Sequence, residues 1–294
     1  MSASTVRTRS LKAAPEAVLK AAEIIIKASL SEDLSDAGDI TSLATVPADA
    51  TARAQVIVKQ PGIIAGLDIM ARVFETVDPS TQFTKLAVDG DELNEVPFVC
   101  AQIQGPARAI LTAERTALNL MQRLSGIATV TKKFTRLAVQ QGISILDTRK
   151  TTPTLRALEK YAVLVGGGVN HRFGLYDAIL IKDNHIAIAG GITNAIVLCQ
   201  KQHKELPIEI EVKTLEQLQE ALSIGVEKVM LDNMTPEMIA QAIDIVDGRS
   251  FIEVSGGINE QNFEQYLLPG IDAISIGALT HSVRSLDISL DIEV

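Results

Sequence analysis

The stretch IEIEVKTLEQLQEALSIGVEKVMLDN, residues 208–233, reads as a strand, a helix and a second strand in immediate succession. IEIEV and KVMLDN are short runs rich in Val, Ile and Leu, and TLEQLQEALSIG between them is helix-like, with Thr214 placed to cap it. Working outward, the same plan recurs in SILD (144–147), AILIKD (178–183), FIEVSGG (251–257) and AISIG (273–277). TPEMIAQAIDIV supplies another helix, with Pro236 at its start, where the missing N–H costs nothing. The runs end on Lys182, Glu211, Asp232, Ser255 and Gly277, which recur at roughly 21 to 29 residues, the spacing of βα units. Near-continuous apolar strands imply burial on both faces, hence a parallel sheet covered by helices. An open doubly wound sheet would gather polar groups at one switch point. Here they close every run, which favours a barrel with its site at the C-terminal strand ends. Six or seven runs are visible, so the barrel is expected to be incomplete.

The N-terminal part differs. Residues 14–30 repeat apolar groups at helical spacing, and SEDLSDAGDITS reads as an acidic loop. From about 53 to 111, short β-branched runs separated by DPS and VDGDEL turns indicate a smaller α+β domain. A long helix then runs from about 107 to Gly142. On it Arg115, Asn119, Gln122 and Gly126 form a polar stripe beside Leu111, Leu118, Met121 and Leu124, whose plainest explanation is a solvated face. The expected division is residues 1–115, with 280–294 packing back on them, and a barrel domain over 116–279.

Composition narrows the function classes. With 294 residues, 47% hydrophobic and 21% charged, the chain is globular and has ample length for a substantial core. A net charge of -9, 3% aromatics and no Trp argue against nucleic acid and anionic membranes as partners. An anionic ligand must therefore be held in a local pocket. Cys100 and Cys199 form no CxxC pair and read as buried, reduced thiols suited to a reducing compartment. His171, His185, His203 and His281 show no metal-ligand spacing. Residues 1–13 are basic and Ser/Thr-rich, but Glu16, Lys20 and Glu23 break the apolar stretch that follows. That excludes a secretory signal and leaves a short organellar address as a minor alternative. No segment approaches the roughly 18 apolar residues of a membrane span, so a soluble, cytoplasmic protein is expected.

LDTRKTTP (146–153) ends an apolar strand on an acid and then sets Arg149 beside Lys150. Adjacent cations repel, so either both are simply solvated or they face an anion. If the strand ends converge, Arg149, Lys150, Lys182, Glu211, Asp232 and the turn at Ser255, Gly256 and Gly257 meet, joined by His171 and Arg172 from VGGGVNHRFG. Guanidinium groups grip carboxylates and phosphates in a bidentate way. The SGG turn and Gly277 expose backbone N–H groups to a phosphate. Glu211 and Asp232 suit a divalent cation, sugar hydroxyls or a developing positive charge. They could equally be an ion-pair layer of the barrel floor.

The motifs EDLSDAGDITS, ERTALNLMQRLSGIAT, DTRKTTP, GGGVNHRFGLYDAILIKDNH, IEIEV, MLDNM, SGGI and DAISIGALTHSVRSLDISL resemble those of the quinolinate phosphoribosyltransferase family, the nicotinate-nucleotide pyrophosphorylases of NAD biosynthesis. The resemblance runs from about residue 20 to 292 and implies an N-terminal α/β sandwich followed by an incomplete, seven-stranded type of parallel α/β barrel. It further implies that Arg149, His171 and Arg172 hold the carboxylates of quinolinate, and that Arg115 reaches into the site of a partner in a homodimer. Lys150 and Lys182 would serve both the quinolinate carboxylate and phosphoribosyl pyrophosphate. Glu211 and Asp232 would face the ribose hydroxyls and Mg2+, and Ser255, Gly256, Gly257 and Gly277 the 5′-phosphate. Lys213 and the segment 283–285 depart from the family's usual pattern.

Two other readings stay open on the residues alone. One is a barrel lyase using Lys150 or Lys182 as a Schiff-base nucleophile. The other is a non-catalytic, metabolite-binding relative. Arg149→Met is expected to cripple use of quinolinate; steady-state kinetics close to wild type in that variant would refute the role of Arg149.

Overall fold

Residues 13–293 are described by a computed structural model. Its contacts divide into two compact units, one of residues up to 132 with 151–167 and 279 onward, the other of 133–150 with 168–278.

In the first unit, α1 (Glu16–Leu34), α2 (Ile40–Thr45), β1 (Thr51–Val58), β2 (Gly62–Ile63), α3 (Leu67–Val77), β3 (Gln82–Lys85), β4 (Glu92–Leu93) and β5 (Phe98–Pro106) lead into α4 (Ala107–Ala138). The acidic stretch is not one loop. α1 continues through Glu32 and Asp33, and Asp39 accepts from the Ser42 amide at 3.0 Å to start α2. Propensity explains this, since Glu and Ser are tolerated in a helix whose polar groups face water. Cys100 is buried here, and burial pushes its thiol up to about 12.

Past the division, α4 ends in a short 3₁₀ turn closed by Gly142, whose φ of 72° is the left-handed conformation glycine accepts without strain. The chain continues as β6 (Ser144–Leu146), α5 (Arg156–Val165, part of the first unit), β7 (Ile179–Ile181), α6 (Asp183–Ala189) and α7 (Ile192–Gln202). Then come β8 (Ile208–Val212), α8 (Leu215–Ser223), β9 (Lys228–Asp232), α9 (Pro236–Val246), β10 (Phe251–Ser255), β11 (Ala273–Ser275), α10 (Ala278–His281) and β12 (Ile288–Glu293). Thr214 and Thr235 cap α8 and α9 through their hydroxyls, and Pro236 opens α9.

β12, β1, β5 and β3 form a four-stranded sheet in that order, with β12 antiparallel to β1 from Arg53↔Glu293 to Val58↔Ile288. The second unit holds the parallel sheet β6-β11-β10-β9-β8-β7. Among the described residues it has six strands, not seven. After the glycine run at 166–168, Val169 makes a single parallel bridge to Leu146 at the end of β6. β8 is buried at every position, as expected for a strand covered on both faces. Ile196, Leu218, Ile239, Ala242 and Val246 on α7, α8 and α9 are buried in the same unit. Burying each large aliphatic side chain contributes about 1.5–3 kcal/mol. Cys199 on α7 is only half-buried, short of the burial its composition class implied, because α7 lies on the outer layer.

The stripe on α4 is only partly solvated. The Gln122 side chain donates to the Ile288 carbonyl at 2.7 Å, and its backbone carbonyl accepts from the Leu286 amide at 3.0 Å. Gly126 lies against the backbone of Arg284 and Ser285, where a Cβ would approach Ser285 Cα to 3.2 Å. The stripe is thus the seat of the returning C-terminal segment, whereas Arg115 and Asn119 stay exposed. On the same helix Arg123 binds the fully buried Glu159 at 2.6 and 2.9 Å and Thr152 Oγ1 at 2.7 Å. Arg123→Met leaves that carboxylate buried without its cation and is expected to cost about 3–5 kcal/mol in urea unfolding. Arg123→Met with Glu159→Gln should recover part of the loss.

Candidate active site

The C-terminal ends of the parallel strands line a cavity of about 540 Å³. Alternate residues of a strand share a face, so Leu180 and Lys182 of β7 and its end, Met230 and Asp232 of β9, and Ser255 and Ser275 all reach it. Thr148, Arg149, Lys150, His171, Arg172, Glu211, Asn233, Gly256 and Gly257 complete the lining. Four formal cations (Arg149, Lys150, Arg172, Lys182) face two carboxylates (Glu211, Asp232), so the rim is positive within an acidic chain.

The acid that ends the LDTRKT strand has a structural task. Asp147 is fully buried and accepts from the His171 amide at 2.9 Å, while its own amide donates to the Val169 carbonyl. This ties the end of β6 to the glycine-rich segment and brings Arg149 and Arg172 into one cavity. Burial and the neighbouring Arg149 guanidinium lower Arg172 below its ordinary range, opposed by Asp177 and Glu209. Arg149 Nε is buried without a partner. Two adjacent guanidinium groups, one with an unsatisfied donor, repel one another, a cost that a neighbouring carboxylate or phosphate would relieve.

Lys182 precedes α6 and its ammonium binds Glu211 Oε2 at 2.6 Å. The acids thus stand at the rim, and Glu211 is paired across strands rather than forming a floor layer. Asp232 accepts from the Asn233 side chain at 2.9 Å. Asn233 has a φ of 54° and packs on Gly256, whose φ of 107° and whose successor Gly257 at 63° open a turn of backbone amides suited to an anion. Lys213, the departure after IEIEV, pairs with Asp183 at 2.7 Å, and that hydrogen bond lowers the Asp183 carboxyl below its usual range.

Two predicted residues are not in this lining. Arg115 lies on α4 in the other unit, 62% exposed and 3.7 Å from Glu114. Gly277 follows β11 by two residues without lining the cavity. Sequence reasoning missed Asn233, Met230, Leu180 and Ser275, and missed Glu209 and Glu253 beneath them. The signal was present: Glu209 stands two residues before Glu211, and Glu253 two before Ser255, on the same strand faces.

A parallel βα sheet with cations, carboxylates and a glycine turn at its strand ends defines a class of enzyme that handles multiply charged anions. The family models for the quinolinate phosphoribosyl transferase N-terminal domain and C-terminal domain match residues 39–125 and 127–291. A Bacillus subtilis protein described as a probable nicotinate-nucleotide pyrophosphorylase [carboxylating] is 44% identical over 259 residues, covering 87% of this chain and 88% of its own. A chloroplastic enzyme of that description from Oryza sativa subsp. japonica is 41% identical over 288 residues, covering 92% and 77%. The crystal structure of NadC from Streptococcus pyogenes superposes with a TM-score of 0.90 at 40% identity, covering 97% of this chain and 99% of that one. The chain belongs to the quinolinate phosphoribosyltransferase family.

Gly256→Ala would set a Cβ 2.7 Å from the Asn233 backbone nitrogen at a left-handed φ. It is expected to weaken binding of phosphoribosyl pyrophosphate, whose 5′-phosphate the turn would meet, tenfold or more by titration calorimetry, with a stability loss of about 1–3 kcal/mol.

Proposed function

We propose that Arg149 and Arg172 hold the two carboxylates of quinolinate while Lys150, Lys182 and the Ser255–Gly257 turn hold phosphoribosyl pyrophosphate in the same cavity. The reaction is the family's: transfer of the phosphoribosyl group to quinolinate with decarboxylation, giving nicotinate mononucleotide, pyrophosphate and CO2. The observation that carries the site assignment is the buried, unpartnered Arg149 Nε beside Arg172, in one cavity with the glycine turn. Lys150 and Lys182 neutralise charge that builds on the departing diphosphate, and the carboxylates of Glu211 and Asp232 stabilise the cationic ribose C1. The pyridine nitrogen forms its bond to C1 as the bond to pyrophosphate breaks. The quaternised ring then accepts the electron pair left at C2 when the adjacent carboxylate departs as CO2, and a proton from solvent replaces it. Leu180 and Met230 give the flat ring an apolar seat between these charges.

Magnesium fits the donor set: Glu211 and Asp232 bring hard carboxylate oxygens to the rim, and Mg2+ commonly shares one or two carboxylates with substrate phosphates. Bound there it would supply positive charge to the leaving group. Gly277 would add its backbone amide to the 5′-phosphate site. Arg115, exposed on α4, would complete the quinolinate site of a second copy in a homodimer. No helix among the described residues is long and apolar enough to cross a membrane. The basic stretch before residue 13 lies outside the described residues.

The Schiff-base reading is disfavoured by the Lys182–Glu211 ion pair, since a nucleophilic amine needs desolvation or a cationic neighbour. With quinolinate, phosphoribosyl pyrophosphate and Mg2+, the pure protein is expected to release nicotinate mononucleotide, pyrophosphate and CO2 in equal amounts. Quinolinate binding without turnover would mark a non-catalytic relative, and borohydride trapping of substrate on a lysine a lyase.

A further inference from the structure

We infer that Glu209 and Glu253 are positioning residues: they hold the His171 ring, the ring braces the backbone of Arg172, and His171 therefore serves quinolinate through Arg172 rather than by donating to a carboxylate itself. This rests on the assignment of Arg172 as a carboxylate holder. The His171 ring is spoken for on both sides. The Arg172 amide donates to Nδ1 at 2.7 Å, so Nδ1 is the bare nitrogen and Nε2 carries the proton. Nε2 lies 3.1 Å from Glu209 Oε2 and 3.5 Å from Glu253 Oε1. The ring is 11% exposed and the two carboxylates 7% and 3%, so these bonds are shielded from water.

The three side chains are spaced closely enough to chelate a cation. The tautomer argues otherwise, because an Nε2 that carries a proton for Glu209 has no lone pair for a metal, and Nδ1 faces the Arg172 amide. The acids accommodate one another without an ion. Burial and the nearby Glu209 charge raise Glu253 well above the usual carboxylate range, with the Ser275 hydroxyl opposing. Burial is the largest influence on Glu209 and raises it, but His171, the hydrogen bond with Glu253 and the Lys228 charge together bring it below its usual range. From Asp147 the amide of His171 is held, from Glu209 its ring, and from the ring the amide of Arg172. The chain of bonds ends at the guanidinium that borders the cavity, whose NH1 is steadied by the Ala178 carbonyl at 3.1 Å. A floor that is apolar in most barrels is here spent on orientation.

The test is a double-mutant cycle read as KM for each substrate separately. Arg172→Met should raise the quinolinate KM at least tenfold and leave that for phosphoribosyl pyrophosphate within about twofold. His171→Ala should raise the quinolinate KM severalfold with kcat little changed, and add nothing in the Arg172→Met background. His171→Asn, whose carbonyl takes the place of Nδ1 but which cannot reach Glu209, should recover part of that loss, and His171→Gln should not. Glu209→Gln should raise the same KM without touching the other. Additive His171→Ala and Arg172→Met effects, or no recovery by His171→Asn, would overturn the positioning role. So would one equivalent of zinc, added to the metal-free protein, binding tightly and being lost in Glu253→Gln. An unchanged quinolinate KM in Arg172→Met would instead sink the underlying assignment. Should His171→Ala fail to fold, the Asn and Gln pair carries the comparison.

Discussion

A β-strand turns every second side chain to the same face, and the parallel sheet of this protein depends on that constraint. On the inward face it makes two levels, one polar and one mixed. Lys182, Glu211, Asp232 and Ser255 stand at the strand ends, and Leu180, Glu209, Met230, Glu253 and Ser275 lie below them or beside them. A one-residue slip in any strand would exchange these for buried Ile, Leu and Val, so the register that closes the core also assembles the site.

The consequence is a division of labour among like charges. Six ionisable groups of this region, two guanidinium groups, two carboxylates, an ammonium and an imidazole, are arranged in three pairs. Arg149 and Arg172 stand together at the cavity, the Arg149 Nε without a partner, Lys182 and Glu211 neutralise each other at the rim, and Glu209 is matched to His171 in the interior. Buried charges persist only when paired or hydrogen-bonded, so an unsatisfied guanidinium donor stands out among them, and it is the observation on which the proposed ligand role of Arg149 rests. The surrounding acidity of the chain then favours selectivity, because an anion gains only where the local field has been reversed.

Much of this was legible in the residues. The six runs between Ser144 and Ser275 all became strands, Thr214 and Pro236 took their expected places at helix starts, and α4 with the 3₁₀ turn that follows it stopped at Gly142. Where the reading failed, a local signal was outweighed by context. SEDL joined α1 because nothing breaks the helix before Ser35, although its acidity read as loop. The polar stripe on α4 looked solvated, yet Gln122 and Gly126 receive a segment more than 150 residues later in the chain, which no periodicity on the helix could reveal.

The sequence by itself determined the βα repeat, the cations after β6 and the acids at the ends of β8 and β9, since these follow from local periodicity and from residue types that have few other uses at a strand end. Only the tertiary structure decided what Asp147, His171, Glu209 and Glu253 do. Their partners lie on separate strands and loops, and a hydrogen bond's worth is set by which donors burial brings within about 3 Å, a quantity that no one segment contains.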